Sequence, residues 1–340
     1  MKPLNLAIRA DGNSTIGMGH IMRCLSLAKE FRKNGDRVIF ISNGLIGIEK
    51  ITSEGFRAVP VDGGEPEAIA RICTAEDLEI LIVDSYRANR DYLCALKPKI
   101  PLLIYLDDLN RFDNPAEIII NGNYAAEGMG YRKPSFRQLQ LLGVEYNLIR
   151  DEFKGLSQPK VRPEMERILI TMGGTDPANL SGKLITALRQ DSVFDKIALD
   201  VVVGAGNPRY NELLELSRCF SSLYIHYDVQ RISGLMLQAD LAISAGGSTL
   251  YELCACGTPT SAVITAENQR FLVTELDKAG YLTNLGWYRD LDLNNLKVVI
   301  KTYSYPKRRR MSAKMRQLVD GNGTARVRKK IVEYYQEIKD

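Results

Sequence analysis

The sequence predicts two doubly wound α/β domains that face a cleft, each built on a parallel sheet covered by helices. The chain has 340 residues, about twice the length of an ordinary domain. Continuous apolar segments alternate with helical segments in both halves, which is typical of parallel sheets buried on both faces. The alternation stops at residues 154–163, KGLSQPKVRP, whose composition is that of a linker. We therefore expect one domain over residues 1–155 and a second over residues 164–340.

Polar residues follow two of the apolar segments in the first half. Tyr86 comes after one of them, and Asp107 and Asp108 come after the next. The carboxyl ends of parallel strands meet at one edge of a sheet, so these side chains are candidates for an active-site rim. An aspartate after a strand can also cap the next helix, and for Asp84 and Asp107 both interpretations stay open. The predicted strands are residues 4–8, 37–42, 78–84, 101–106 and 117–121, and a short helix is predicted at 48–54.

The turn after the first predicted strand is rich in glycine. Gly17 and Gly19 precede His20, and an apolar helical face begins at Ile21. Glycines let backbone N–H groups approach a ligand, and a helix N-terminus favours an anion. A histidine side chain, which titrates near pH ~6.5, suits a general base at this position, whereas capping or packing is the structural alternative. The spacing matches neither a dinucleotide-binding fingerprint nor a Walker loop.

The second half repeats the alternation of strands and helices. Gly173, Gly174 and Thr175 follow its first strand, and Asn268 and Gln269 follow its last, so both sets are expected at the same sheet edge. The predicted strands are residues 167–172, 199–203, 223–226, 241–244 and 260–264, and the predicted helices are residues 208–218, 229–239, 249–256 and 269–279.

A further glycine turn follows the predicted strand 241–244. The backbone amides of Gly246, Gly247 and Ser248 could hold a phosphate at the start of the next helix. Ser248 or Thr249 could cap that helix or bind an oxygen of the anion. Glu252 lies one helical turn further on, where a carboxylate could bind the two hydroxyls of a ribose. Together with the other two turns, this pattern indicates a site for a nucleoside diphosphate.

The composition excludes several classes of function. A formal net charge of +4 over 340 residues gives no indication of nucleic-acid binding. The basic runs at 307–310 and 326–330 are expected to be solvated helix faces. No apolar run approaches ~18–20 residues, and the first residues lead directly into a strand, so we expect neither membrane insertion nor a signal peptide, and a cytoplasmic location. The cysteines lack the C-x-x-C spacing of zinc or redox sites, so we expect buried free thiols and no metal or cofactor.

Two groups of motifs carry a resemblance to known families. Residues 244–252, 257–259 and 268–269 resemble the UDP-binding half of MurG-type enzymes, which have two Rossmann-like domains in the GT-B fold. The N-terminal motif is narrower and is similar to that of the PseG/SpsG family. The residues that carry this second resemblance are RAD at 9–11, IGMGH at 16–20, Arg23, DSY at 84–86, DD at 107–108, LIRDEF at 148–153 and MGGTD at 172–176.

The resemblance implies hydrolysis of UDP-2,4-diacetamido-2,4,6-trideoxy-β-L-altropyranose to UDP and the free sugar, a step of pseudaminic acid biosynthesis. It implies that His20 activates water for an inverting attack on the anomeric carbon, without a metal. It assigns substrate binding to Arg150, Glu252, Asn268 and Gln269, and a position around the sugar or against His20 to Tyr86, Asp107 and Asp108. The other substrate-binding candidates are Gly17, Gly19, Arg23, Gly173, Gly174, Thr175, Gly246, Gly247, Ser248 and Thr249.

Two other functions remain open at this point. A glycosyltransferase of the same fold would pass the sugar to an acceptor, and a binding protein would hold the nucleotide sugar without turnover. At the C-terminus, residues 306–318 and 324–338 are predicted helices. The last helix either crosses back to the first domain, as the GT-B resemblance suggests, or packs on the second. The sequence predicts a small-molecule UDP-sugar as the partner and gives no indication of oligomeric state.

Overall fold

The structure is a computed structural model that describes residues 3–13, 17–63, 65–132 and 137–339. The chain divides into two compact units. The first comprises Met1–Asp151 and Gly321–Asp340, and the second comprises Glu152–Asp320. The division after Asp151 precedes the expected linker, and the C-terminal segment, expected within 164–340, is grouped with the first unit.

The first unit is built on a seven-stranded sheet in which every pair of neighbouring strands is parallel. Its order, β3-β2-β1-β4-β5-β6-β7, reverses direction between β1 and β4. The elements are β1 (Asn5–Ala10), α1 (Gly19–Lys33), β2 (Arg37–Ser42), α2 (Leu45–Ser53), β3 (Arg57–Pro60), α3 (Pro66–Ala75), β4 (Ile80–Asp84), α4 (Arg90–Leu96), β5 (Leu102–Leu106), β6 (Ile118–Asn121) and β7 (Leu139–Leu142).

The second unit has a six-stranded sheet of the same kind, and its order also reverses at the centre, between β8 and β11. Every neighbouring pair is again parallel. Its elements are β8 (Arg167–Thr171), α5 (Leu180–Arg189), β9 (Ala198–Val203), α6 (Tyr210–Cys219), β10 (Leu223–Tyr227), α7 (Ser233–Gln238), β11 (Leu241–Ala245), α8 (Thr249–Cys256), β12 (Thr260–Ile264), α9 (Arg270–Lys278), β13 (Thr283–Trp287), α10 (Leu293–Lys301) and α11 (Tyr305–Leu318). The last helix of the chain, α12 (Gly323–Glu337), belongs to the first unit.

Each face of the first sheet has its own apolar core, because successive residues of a strand point to opposite faces. Leu6 and Ile8 of β1 pack on the side of α1, where Val327 and Ile331 of α12 complete the cluster. Ala7 belongs to the other cluster, on the side of α3 and α4. The burial of this one strand on both faces explains why its sequence is continuously apolar rather than alternating.

Three strands that the sequence analysis did not assign lie at sheet edges. β3 and β7 are the two edge strands of the first sheet, and β13 is an edge strand of the second. Their residues are mostly half-buried or exposed. No helix of the described part of the chain is long and apolar enough to cross a membrane.

Candidate active site

His20 lies at the point where the strand order of the first sheet reverses. It is the second residue of α1, the helix that follows β1, and it is only 7% exposed. The neighbouring strand β4 ends at Asp84, and Ala10 of β1 pairs with Asp84 in parallel register. Helices leave these two central strands towards opposite faces of such a sheet, so a crevice forms at their carboxyl ends. The strand order therefore brings His20 and Asp84 together across 64 residues of sequence.

The side chains of His20 and Asp84 form a buried pair. His20 Nδ1 lies 2.5 Å from Asp84 Oδ1. An ionised carboxylate only accepts hydrogen bonds, so the pair places a proton on Nδ1, and in a neutral imidazole the lone pair is then on Nε2. Asp84 thus fixes the orientation and the tautomer of the imidazole, which is the arrangement that a histidine base requires.

Arg23, one turn further along α1, holds two carboxylates at once. Its Nε donates to Asp84 Oδ2 at 2.6 Å and its Nη1 donates to Asp108 Oδ1 at 2.7 Å. Its Nη2 donates to both aspartates, at 2.6 and 2.9 Å. Burial alone would raise the pKa of Asp84, but the charge of Arg23 and the hydrogen bonds from Arg23 and His20 outweigh burial and hold that pKa well below its usual range. Burial would likewise raise the pKa of Asp108, but the charge of Arg23 outweighs it and lowers that pKa.

Tyr86 completes the surroundings of His20. Its ring meets the imidazole edge to face, with the ring centroids 4.5 Å apart and the planes at 87°. Its hydroxyl donates to Asp108 Oδ2 at 3.1 Å. The residue is 40% exposed, so it forms a partly open wall beside the buried imidazole. Tyr86 and Asp108 therefore lie near His20, which is one of the two positions that the resemblance implied. Tyr86 contacts the imidazole ring, and Asp108 is linked to it through Arg23.

Asp107 does not join this network. Its Oδ1 accepts from the backbone N–H groups of Leu109 and Asn110 at 2.9 and 3.0 Å, which closes the turn after β5. The two open interpretations thus separate: the carboxylate of Asp84 serves the histidine and that of Asp107 serves the backbone. Asp107 is buried in this turn, and its position around a sugar stays a prediction.

Three other predicted substrate-binding residues of the first unit are Gly17 and Gly19, at the start of α1, and Arg150, near the end of the unit. Gly17 has φ +78°, a left-handed conformation that favours glycine, whereas Gly19 opens α1, and a Cβ at either position would meet no atom within 4 Å. Residues 14–16 of the predicted turn, including Ile16 of the motif, lie outside the described residues. Arg150 is half-buried, immediately before the short 3₁₀ turn Asp151–Phe153.

The second unit carries its glycine turns at the equivalent point of its sheet. Gly173, Gly174 and Thr175 follow β8, and the turn with Gly247 and Ser248 follows β11, its neighbour. Helix α8 begins at Thr249 without a side-chain cap, so the expectation that Ser248 or Thr249 caps it is wrong. The first N–H groups of an uncapped helix are free to bind an anion.

Gly246 has a structural role that the sequence did not reveal. Its N–H donates to the Val263 carbonyl at 3.0 Å, so it is not available to a phosphate. A Cβ at this position would lie 2.4 Å from Val273 Cγ2, which means that only glycine fits against α9. Gly247 is different, because a Cβ there would meet nothing within 4 Å. The candidate anion site therefore shifts to Gly247 and the residues after it.

Three more candidates lie near the starts of α8 and α9. Glu252 is in the first turn of α8 and is half-buried. Asn268 is exposed in the 3₁₀ turn Glu267–Gln269. Gln269 Oε1 accepts from the N–H and the hydroxyl of Thr265, at 2.8 and 3.0 Å, so its carbonyl holds the turn and its NH₂ group remains the part that could reach a ligand.

Another Asp–His pair occurs in the second unit. His226 Nε2 lies 2.8 Å from Asp200 Oδ1, and Arg167 donates to both oxygens of Asp200 at 2.9 Å. His226 lies within β10 rather than after a strand. Among the described residues, no group of three or more His, Cys, Asp or Glu side chains is arranged to hold a metal ion.

Solved structures show which fold the two units form. MurG of Acinetobacter baumannii matches with a TM-score of 0.69, covering 98% of this chain and all of MurG at 14% identity. The calicheamicin glycosyltransferase CalG4 matches with a TM-score of 0.63 over the whole of both chains, also at 14% identity. The chain has the GT-B fold. No known protein-family model matches the sequence.

Sequence relatives confirm the resemblance predicted from the motifs. The chain is 24% identical to the UDP-2,4-diacetamido-2,4,6-trideoxy-β-L-altropyranose hydrolase of Campylobacter jejuni, over 82% of this chain and 98% of that protein. It is 25% identical to the spore coat polysaccharide biosynthesis protein SpsG of Bacillus subtilis, over 98% and 99% of the two chains. A relative from Methanocaldococcus jannaschii is 29% identical over 78% of this chain, but the match spans only 57% of that protein.

Proposed function

We propose that the protein hydrolyses a UDP-sugar, with His20 as the general base that activates water. The observation that carries this proposal is the buried His20–Asp84 pair, because it leaves Nε2 as a proton acceptor at the ligand-binding edge of the first sheet. A carboxylate and a guanidinium also lie behind His226, but that histidine is within a strand, whereas the His20 network lies just after one, at the edge where parallel sheets bind ligands. The same network makes a pure binding protein the weaker alternative.

The proposed step is a single displacement at the anomeric carbon. The water oxygen forms the new C–O bond while Nε2 takes a proton from it, and the bond from the anomeric carbon to the β-phosphate oxygen breaks. The electron pair leaves on UDP, a weakly basic leaving group, so no protein acid is needed to protonate it. Asp84 stabilises the imidazolium that forms, and attack from the side opposite the leaving group inverts the anomeric configuration.

The second unit is the proposed holder of UDP. The N–H groups of Gly247 and Ser248, at the uncapped start of α8, would bind the diphosphate and stabilise the charge that develops on it. Glu252 would bind the ribose hydroxyls. The remaining proposed substrate contacts are Arg150, Gly173, Gly174, Thr175, Thr249, Asn268 and Gln269.

The proposed substrate follows from the names of the relatives. The Campylobacter jejuni protein is named as a hydrolase of UDP-2,4-diacetamido-2,4,6-trideoxy-β-L-altropyranose. A Helicobacter pylori protein, of which the match spans 48%, carries the same activity in its name together with pseudaminic acid cytidylyltransferase. We propose this nucleotide sugar as the substrate and pseudaminic acid biosynthesis as the pathway. A glycosyltransferase is the second candidate, because the fold is shared with MurG.

The test is incubation of the purified protein with this nucleotide sugar and no acceptor, followed by proton NMR. Wild type should release UDP and form the inverted anomer first, and His20→Ala should lose the activity. His226→Ala is the matched control, since it removes the other histidine of the chain, and it should keep the activity. No release without an added acceptor would favour the transferase, whereas release that survives His20→Ala would remove His20 from its proposed role.

A further inference from the structure

A pocket of about 550 Å³ opens on the first unit beside, but not within, the His20 network. We name it the Arg9 pocket, after the residues Arg9, Ser85, Arg87, Asn89 and Tyr92 that line one side of it. Its volume is in the range of small-molecule sites. Nothing in the proposed hydrolysis uses these side chains, although Arg9 belongs to the N-terminal motif.

The pocket and His20 lie on opposite faces of the sheet and share one loop. Because residues of a strand alternate, Asp84 at the end of β4 points to the face of α1, where it meets His20. Ser85 and Arg87 line the pocket, and Tyr86 between them contacts His20. Residues 84–87 therefore connect the Arg9 pocket with the His20 network.

The floor of the pocket is polar, and the positive charge of Arg9 there is neutralised by Asp11. Arg9 is only 1% exposed and forms an ion pair with Asp11, and it is hydrogen-bonded to Tyr92. Its Nε has no hydrogen-bond partner among the described residues, so the donors of the guanidinium are not all used by the protein. Ser85 is also buried and brings a hydroxyl. A ligand on this floor would meet the polar side chains of Arg9 and Ser85 without meeting a net positive charge.

The charges at the mouth decide the class of ligand. The exposed carboxylates of Glu65, Glu67 and Asp91 line it, against one exposed cation, Arg87. This negative excess disfavours a phosphate or a carboxylate. Donors at the floor, acceptors at the mouth and the half-buried ring of Tyr92 suit a neutral ligand with hydroxyl and amide groups. We propose that the Arg9 pocket binds a neutral monosaccharide.

In the proposed reaction, such a monosaccharide is either the sugar part of the bound substrate or the sugar that hydrolysis releases, an identification that rests on the proposed function. Both sources present the same hydroxyl and acetamido groups. The first would make the Arg9 pocket a determinant of substrate specificity. The second would make it a site through which the product acts on residues 84–87, next to His20.

The test measures sugar binding by calorimetry with free 2,4-diacetamido-2,4,6-trideoxy-L-altrose, N-acetylglucosamine and UDP as separate probes. The variant Arg87→Ala/Glu67→Ala removes one donor and one acceptor from exposed positions, where folding should not suffer. Arg71→Ala, an exposed arginine of α3 outside the pocket, is the matched control. We expect the diacetamido sugar to bind wild type and Arg71→Ala equally, and the double variant at least about tenfold more weakly.

The same substitutions in a His20→Ala background distinguish the two sources, because this protein should bind the intact nucleotide sugar without turnover. A weaker affinity for the nucleotide sugar identifies the substrate's own sugar, and a loss confined to the free sugar identifies a product site. Unchanged sugar affinity in the double variant, or no sugar binding by wild type that still binds UDP, would overturn the proposal. Absence of UDP release by wild type would instead refute the proposed hydrolase activity. The N-acetylglucosamine titration would still test whether the Arg9 pocket binds a neutral sugar.

Discussion

Replacing Asp84 by Asn keeps the shape of the side chain and removes its charge. In the native protein both carboxylate oxygens face donors: Oδ1 faces His20 Nδ1 and Arg23 Nη2, and Oδ2 faces Arg23 Nε and the thiol of Cys24. An amide has only one acceptor oxygen, so its NH₂ group must oppose one of these sets. If Arg23 Nε keeps the oxygen, the NH₂ group faces His20, the imidazole must accept at Nδ1, and Nε2 carries the proton. That tautomer cannot act as the base.

The expected loss follows from this change of tautomer. General-base catalysis contributes about 10²–10⁴ in rate. At about 1.36 kcal/mol for each factor of ten, the activation free energy should rise by about 2.7–5.4 kcal/mol. We expect kcat for UDP release by Asp84→Asn to fall by this factor, while KM changes much less, because the pair acts on water rather than on the bound nucleotide. The measurement is a coupled UDP-release assay under saturating substrate.

The chain offers a matched control in the pair Asp200–His226. Asp200 is held by an arginine and a histidine, as Asp84 is, but in the second unit and away from the end of a strand. Asp200→Asn should therefore leave kcat within about twofold of wild type, even if both variants lose some stability. A folded Asp84→Asn protein with wild-type kcat would refute the role of the pair, and an equal loss in Asp200→Asn would show that the effect is one of stability.

Three further outcomes are expected. Arg23→Lys should lower kcat more than it raises KM, because one ammonium cannot bridge two carboxylates as the guanidinium does, and steady-state kinetics will show the ratio. The free energy of unfolding, measured in urea, should fall as the pH drops below about 5, because the pKa of Asp84 is depressed in the fold and the unfolded chain binds this proton first; Asp84→Asn should flatten the slope. Gly247→Ala should weaken UDP binding without a change in thermal stability, whereas Gly246→Ala should cost about 1–3 kcal/mol, since its Cβ would lie 2.4 Å from Val273.

The sequence predicted the buried strands of both sheets and missed several at their edges. β1, β4 and β5 are buried along nearly their whole length, so their apolar runs are unbroken. β3 and β13 have a neighbour on one side only and are half-exposed, so their sequences carry no such run. Edge strands form because a neighbouring strand offers unpaired backbone groups, and a single-sequence pattern does not contain that information.

The site was predictable as a set of turns but not as a network. The glycine turn and the histidine after it located His20 near the carboxyl ends of the strands. The partner of His20 depended on β1 and β4 being adjacent, which is a property of sheet order and not of local pattern. Asp107 and Asp108 are consecutive, yet one closes a turn and the other pairs with Arg23. Only the geometry of the turn after β5 separates their roles.

The charge of the His20 network also indicates why the diphosphate should be bound elsewhere. Two carboxylates share one guanidinium, so with a neutral imidazole the network of Arg23, Asp84 and Asp108 carries a net negative charge. That charge would favour the imidazolium of the proposed reaction, and it disfavours an anion at the same place. The start of α8, which has no side-chain cap, has the opposite character, because the N-terminus of a helix attracts an anion. The two glycine turns have the same position in their sheets but suit opposite charges, and this difference agrees with the proposed hydrolysis, in which a cation forms at His20 and an anion leaves as UDP.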